Sequence, residues 1–88
     1  MAIFIGKKQI SKIQEANESV EGTRDYTKYY METEYKNSKG VWKFIGHSVP
    51  PYKNDDGILK TVKGNTYLMI RDGRYKLRDV HKELLGLI

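Results

Sequence analysis

The chain of 88 residues has no cysteine, one tryptophan, two prolines, two phenylalanines and two histidines. Without a thiol there is no disulfide framework, no thiolate metal site and no thiol nucleophile, so stability comes from packing alone. No apolar run approaches the roughly 20 residues that a helix needs to cross a bilayer. The start, Met1-Ala-Ile-Phe-Ile-Gly-Lys-Lys8, puts its charges after a short apolar run, the reverse of a signal peptide. A cytoplasmic protein without a membrane partner is expected. The two prolines are adjacent, and Pro50 to Gly57 is the main break in the chain, read as a surface loop within a single domain spanning 1–88.

Catalytic patterns are as scarce. His47 and His81 are 34 positions apart and match no metal-ligand spacing. No serine sits in a Gly-x-Ser-x-Gly elbow, and the isolated glycines form no phosphate-binding loop. Glu32 with Glu34, and Asp55 with Asp56, are the carboxylate pairs from which a hard-metal site would be built. No motif fixes a His or Lys beside them, and adjacent acids in a Pro/Gly loop serve as turn formers. A non-enzymatic protein that uses no cofactor and no metal is expected.

What is present is tyrosine and positive charge. Seven tyrosines favour strands and amphipathic contact surfaces. The net charge of +5 is uneven: residues 1–35 hold five Lys/Arg and six Asp/Glu, whereas residues 36–88 hold eleven and five. Three of the four arginines fall within residues 71–78. There, Asn65 to Val80 alternates as a β-hairpin turning at Asp72-Gly73, a dipeptide suited to a two-residue type I′ turn. This turn pairs Arg71 with Arg74, Ile70 with Tyr75 and Tyr67 with Arg78. One face then carries Leu68, Ile70, Tyr75 and Leu77; the other carries Tyr67, Met69, Arg71, Arg74, Lys76 and Arg78. Like charges opposed across a ladder are destabilising, so a face with four cations and no acid points to an anionic partner.

A second hairpin is expected over residues 26–49. Tyr29, Met31, Thr33 and Tyr35 face the core, while Tyr26, Lys28, Tyr30, Glu32, Glu34 and Lys36 face outward, with His47 opposite Tyr30. Two registers fit the Asn37-Ser-Lys-Gly40 turn. If Lys36 pairs with Val41, Trp42 and Phe44 lie inside, the reading favoured here; if Gly40 forms a bulge, the strand slips by one residue and Trp42 turns outward. Ser11 with Gln14 matches a capping box for a helix over 12–20 that ends at Gly22 and turns Glu15, Glu18 and Glu21 to solvent. Residues 58–62 are read as a short helix, although Lys63-Gly64-Asn65 equally closes a hairpin. Ala2 to Ile5 is either a first strand or an arm, and Asp79 caps a last helix over about 80–86.

The expected fold is α+β: a twisted antiparallel sheet of four or five strands, with two short helices over one face. Its core joins Leu68, Ile70, Tyr75 and Leu77 to Tyr29, Met31, Tyr35, Trp42 and Phe44. Arg71, Arg74, Lys76 and Arg78 are expected to hold phosphates, with Tyr67 available for stacking and Tyr26, Lys28 and Tyr30 as a second aromatic and cationic stripe. This gives a nucleic-acid-binding module. The alternative is a small inhibitor or adaptor, of the kind mobile elements encode, docking its basic face on an acidic or nucleic-acid-binding surface of a larger protein. A basic hairpin followed by a C-terminal helix also resembles the wing and last helix of winged-helix DNA-binding proteins. The resemblance covers only the last quarter of the chain, and Tyr-rich strands stand where the helix-turn-helix belongs.

Overall fold

Among the residues that it describes, 2–49 and 54–88, a computed structural model of the protein has six strands and two helices. In chain order they are β1 (Ala2–Ile5), α1 (Lys7–Ser19), β2 (Met31–Lys36), β3 (Trp42–Ser48), β4 (Gly57–Val62), β5 (Asn65–Ile70), β6 (Gly73–Lys76) and α2 (Asp79–Leu84). The strands form one sheet in the order β1-β4-β5-β6-β2-β3, and every pairing is antiparallel. The α+β class holds, but the sheet has six strands rather than four or five. The additional strands are β1, paired to β4, and β4 itself, where a helix was expected over 58–62. Neighbours on both sides decide that segment: β1 and β5 satisfy its backbone, and Lys63 (φ 51°) with Gly64 (φ 83°) closes the β4–β5 hairpin.

Both helices pack on one face. Ile10 and Ile13 of α1 and Leu85 beyond α2 join Ile5, Met31, Leu59, Leu68, Ile70, Tyr75 and Leu77 in a single core. Burying a large apolar side chain in such a core contributes about 1.5–3 kcal/mol. Helix α1 begins at Lys7, five residues before the expected start, and Ser11 lies inside it, its Oγ donating to Lys8 O at 2.8 Å. The capping acceptor comes instead from far along the chain: Asp56 Oδ1 accepts the Lys7 N–H at 2.8 Å. Gly22 takes φ 81° just past the helix end, as expected of a stop. The Pro50–Lys53 part of the expected surface loop lies outside the described residues.

Three further sequence expectations are corrected. Residues 21–30 are turns, so Tyr26, Lys28 and Tyr30 precede β2 instead of lying on it. The β2–β3 register pairs Lys36 with Trp42, Tyr35 with Lys43 and Glu34 with Phe44, the slipped arrangement. The Asn37 side chain accepts the Lys39 and Val41 N–H groups while Gly40 takes φ 79°, which lengthens the loop by one residue. Trp42 and Phe44 therefore leave the core for the opposite face. Finally, α2 starts at Asp79 with Arg78 as its N-cap, and the Arg78 N–H donates to His81 Nδ1 at 3.0 Å, in place of a cap by Asp79.

Candidate functional site

The β5–β6 hairpin turns at Arg71-Asp72, so Ile70 pairs with Gly73, Met69 with Arg74, Leu68 with Tyr75 and Tyr67 with Lys76. The expected register, with Arg71 opposite Arg74, is displaced by two residues. A shift of two keeps every side chain on its expected face, because the strand period is two. Arg71 moves into the turn, where its φ is 52°. The hairpin also lies in the middle of the sheet, with β4 on one side and β2 on the other, so it is not a projecting wing.

The helices leave the other sheet face uncovered. One row of side chains crosses all six strands there: Phe4, Ile58, Met69, Arg74, Glu34 and Phe44. Beside it run Tyr67, Lys76 and the Glu32–His47 pair on one side, and Lys36 with Trp42 on the other. Phe4 and Phe44 are 68% and 58% exposed, and Ile58 is 47% exposed. The open face thus has exposed rings on its two edge strands and charged groups of both signs between them.

Pairing of β2 with β6 supplies the acids that the hairpin lacks. Arg74 meets Glu34 in a bidentate pair, Nε to Oε2 at 3.0 Å and Nη2 to Oε1 at 3.2 Å, with the two side chains only 16% and 20% exposed. Its guanidinium carbon lies 4.5 Å from the Trp42 ring centroid and 4.3 Å from that of Tyr67. Planarity suits guanidinium to such a site, where it pairs with a carboxylate and packs on rings at once. Arg74 is thus a structural keystone of the face, and Tyr67, expected to stack on a ligand, is buried beside it. Lys76 Nζ lies 3.5 Å from Glu32 Oε2, with both side chains well exposed at 39% and 48%. Arg71 pairs with Asp55 at 2.7 Å.

Arg78 and His81 hold the turn before β2. Arg78 Nη2 donates to the carbonyls of Lys28 and of Tyr30, the latter at 2.8 Å. The His81 ring is fully buried; Nδ1 accepts from the Arg78 backbone, which leaves Nε2 to donate to Tyr29 O at 2.9 Å. Burial pushes the imidazole pKa below its usual 6.5, and the nearby Arg78 charge adds to this, against the opposing pull of the Tyr29 carbonyl. Lys28 sits over the Tyr29 ring at 5.6 Å.

This clamp brings together residues from both predicted segments. Tyr26, Thr27 and Tyr30 from the turn, Glu32 and His47 from β2 and β3, and Lys76 and Arg78 from the hairpin wall an open cleft of about 820 Å³. Tyr26 and Tyr30 meet edge to face, with centroids 6.4 Å apart. Four of the eight predicted site residues converge there; Arg71, Arg74, Tyr67 and Lys28 do not line it. Sequence reasoning missed Trp42 and Phe44, which it placed in the core, and set His47 opposite Tyr30 where Glu32 is its partner. Only the one-residue slip allowed by Gly40 signalled the outward Trp42.

Among the described residues no three His, Asp or Glu side chains are grouped to hold a metal ion. The carboxylate pairs are engaged elsewhere, Glu32 and Glu34 with cations of β6, Asp55 with Arg71 and Asp56 with the α1 N-terminus. Comparison with protein-family models, curated proteins and solved structures gives no match.

Proposed function

We propose that this protein is a non-enzymatic nucleic-acid-binding module that uses its uncovered sheet face. One observation carries the reading: the sheet face opposite the helices is open, with Phe4 and Phe44 exposed on its two edge strands and cations of β6 between them. Bases stack on such rings whatever their identity, and nearby cations track the phosphates. Stacking contributes more than the sequence suggested and charge less, because Arg74 is bound by Glu34 and Arg71 by Asp55. Lys76 and Arg78 remain as phosphate contacts. Two contacts on a single strand give a slope of log K against log salt of about −1.4, in place of roughly −3 to −4 for four contacts on a duplex.

Fluorescence anisotropy with labelled oligonucleotides over a salt series tests this. Phe44→Ala, at a position 58% exposed, should weaken binding at least about five-fold, the lower end for one stacked base. A complex insensitive to salt and to Phe44→Ala would overturn the reading.

A second reading is favoured by the β1–β4 edge, where Phe4 and Ile58 pair beside Met69 as an apolar corner that suits a protein better than a sugar-phosphate chain. In that case the module is an adaptor or inhibitor. A stoichiometric protein partner would survive nuclease treatment and be lost with Phe4→Ser and Ile58→Ser.

A further inference from the structure

Resting on the nucleic-acid reading, we infer that the cleft between the 26–30 turn and strands β2, β3 and β6 seats one unpaired nucleotide, with guanine the base held best. Its volume, about 820 Å³, falls within the roughly 300–1,000 Å³ of small-ligand sites. A base buried in a duplex cannot enter such a concavity, whereas a splayed single-stranded base can. The basic hairpin, being central in the sheet, offers no ribbon to a duplex groove.

The lining supplies each part of a nucleotide with a partner. Tyr26 and Tyr30 meet at 86°, so their contact occupies one ring face and one ring edge and leaves further ring face for a base. Lys76 and Arg78, two positions apart on extended backbone, lie about 6.6 Å from each other along the chain, suited to one phosphate or two successive ones. Arg78 is held in place through Nη2 by the Lys28 and Tyr30 carbonyls. The remaining edges of its guanidinium fork supply the phosphate donors. Lys76 is held only by a 3.5 Å pair with Glu32, and both groups are exposed, so a phosphate displaces that pair at little cost.

Displacement frees the Glu32 carboxylate, which accepts hydrogen bonds and cannot donate them. Guanine is the base whose Watson–Crick edge presents two adjacent N–H donors, N1–H and the N2 amino group, and so matches a carboxylate bidentately. Uracil presents one N–H between two carbonyls that repel it. The cleft therefore discriminates by an acceptor, while the rings and cations hold any nucleotide.

The test is anisotropy with a short single-stranded oligo-U, the same strand carrying one central G, and the duplex of the latter. Wild type, Tyr26→Ala and Glu32→Gln are compared at fixed salt. The expected order is G-containing strand, oligo-U, duplex. Tyr26→Ala should weaken both single strands at least about five-fold, and Glu32→Gln should erase the difference between G and U. Tyr26 is 58% exposed, so its loss does not threaten the fold. A duplex bound as tightly as the single strand, or equal affinity for G and U in wild type, overturns the inference while the nucleic-acid reading stands. So does binding unchanged by both variants. Failure of every oligonucleotide to bind overturns both.

Discussion

Replacement of His81 by Phe should cost about 2–6 kcal/mol, since it orphans two backbone groups at roughly 1–3 kcal/mol each. The groups are the Tyr29 carbonyl and the Arg78 N–H, bonded to opposite sides of one fully buried ring. Against a total of about 4–13 kcal/mol for a domain of this length, the loss is large. It should appear in a thermal melt followed by circular dichroism as a fall in Tm of order 10–50 °C. The pH dependence is sharper evidence. Because the folded pKa lies below 6.5, the unfolded chain takes up the proton first as pH falls. The contribution of neutral His81 is therefore intact above about pH 6.5 and is lost progressively toward the lower folded value, with a slope of up to about 1.4 kcal/mol per pH unit. Urea denaturation between pH 7 and 5 should show that slope in wild type and lack it in His81→Phe. Identical slopes, or a destabilisation below about 0.5 kcal/mol, the range of an ordinary surface change, would refute the clamp.

Other perturbations separate structural from contact residues. Arg74→Ala should destabilise by about 1–3 kcal/mol and Arg74→Lys should rescue little, since a lysine cannot reproduce the bidentate, ring-stacked fork; chemical denaturation of both, with a Glu34→Ala cycle, checks this. Arg71→Ala, in a pair whose arginine side chain is 58% and aspartate side chain 30% exposed, should change stability by about 1 kcal/mol in the same assay. Gly57→Ala should cost about 1–3 kcal/mol, because a Cβ there would lie 3.0 Å from the Met69 carbonyl oxygen and from Leu68 Cδ1. Asp56→Ala removes the α1 cap and should lower stability by about 0.5–2 kcal/mol, read as a fall in melting temperature.

The parts of the fold legible in the sequence are those with local causes. Alternation assigned the faces of β5 and β6 correctly even though the turn lies at Arg71-Asp72, because a two-residue displacement preserves parity. The same rule defeated the reading of β3, where one additional loop residue reversed Trp42 and Phe44. The decisive facts about the site are not local. Glu34 lies beside Arg74, and Glu32 beside Lys76, only because β2 inserts between β6 and β3, some 40 residues away in the chain. A face that alternation displays as four unopposed cations is thus largely neutralised in the folded sheet. Asp56 capping α1 from 49 residues away is a second case, invisible to any window that sees only Ser11 and Gln14. Convergence of Tyr26 and Tyr30 with Lys76 and Arg78 likewise depends on the His81–Tyr29 and Arg78–Tyr30 bonds between distant segments.

Binding at the uncovered sheet face is read out residue by residue in an amide chemical-shift titration of the ¹⁵N-labelled protein with a short single-stranded oligonucleotide. Saturable shifts are expected at Glu32, Phe44, His47, Lys76 and Arg78, with the helical surface at Lys8, Lys12 and Glu15 unmoved. Shifts confined to the helical surface, or none at saturating strand, would contradict binding at that face.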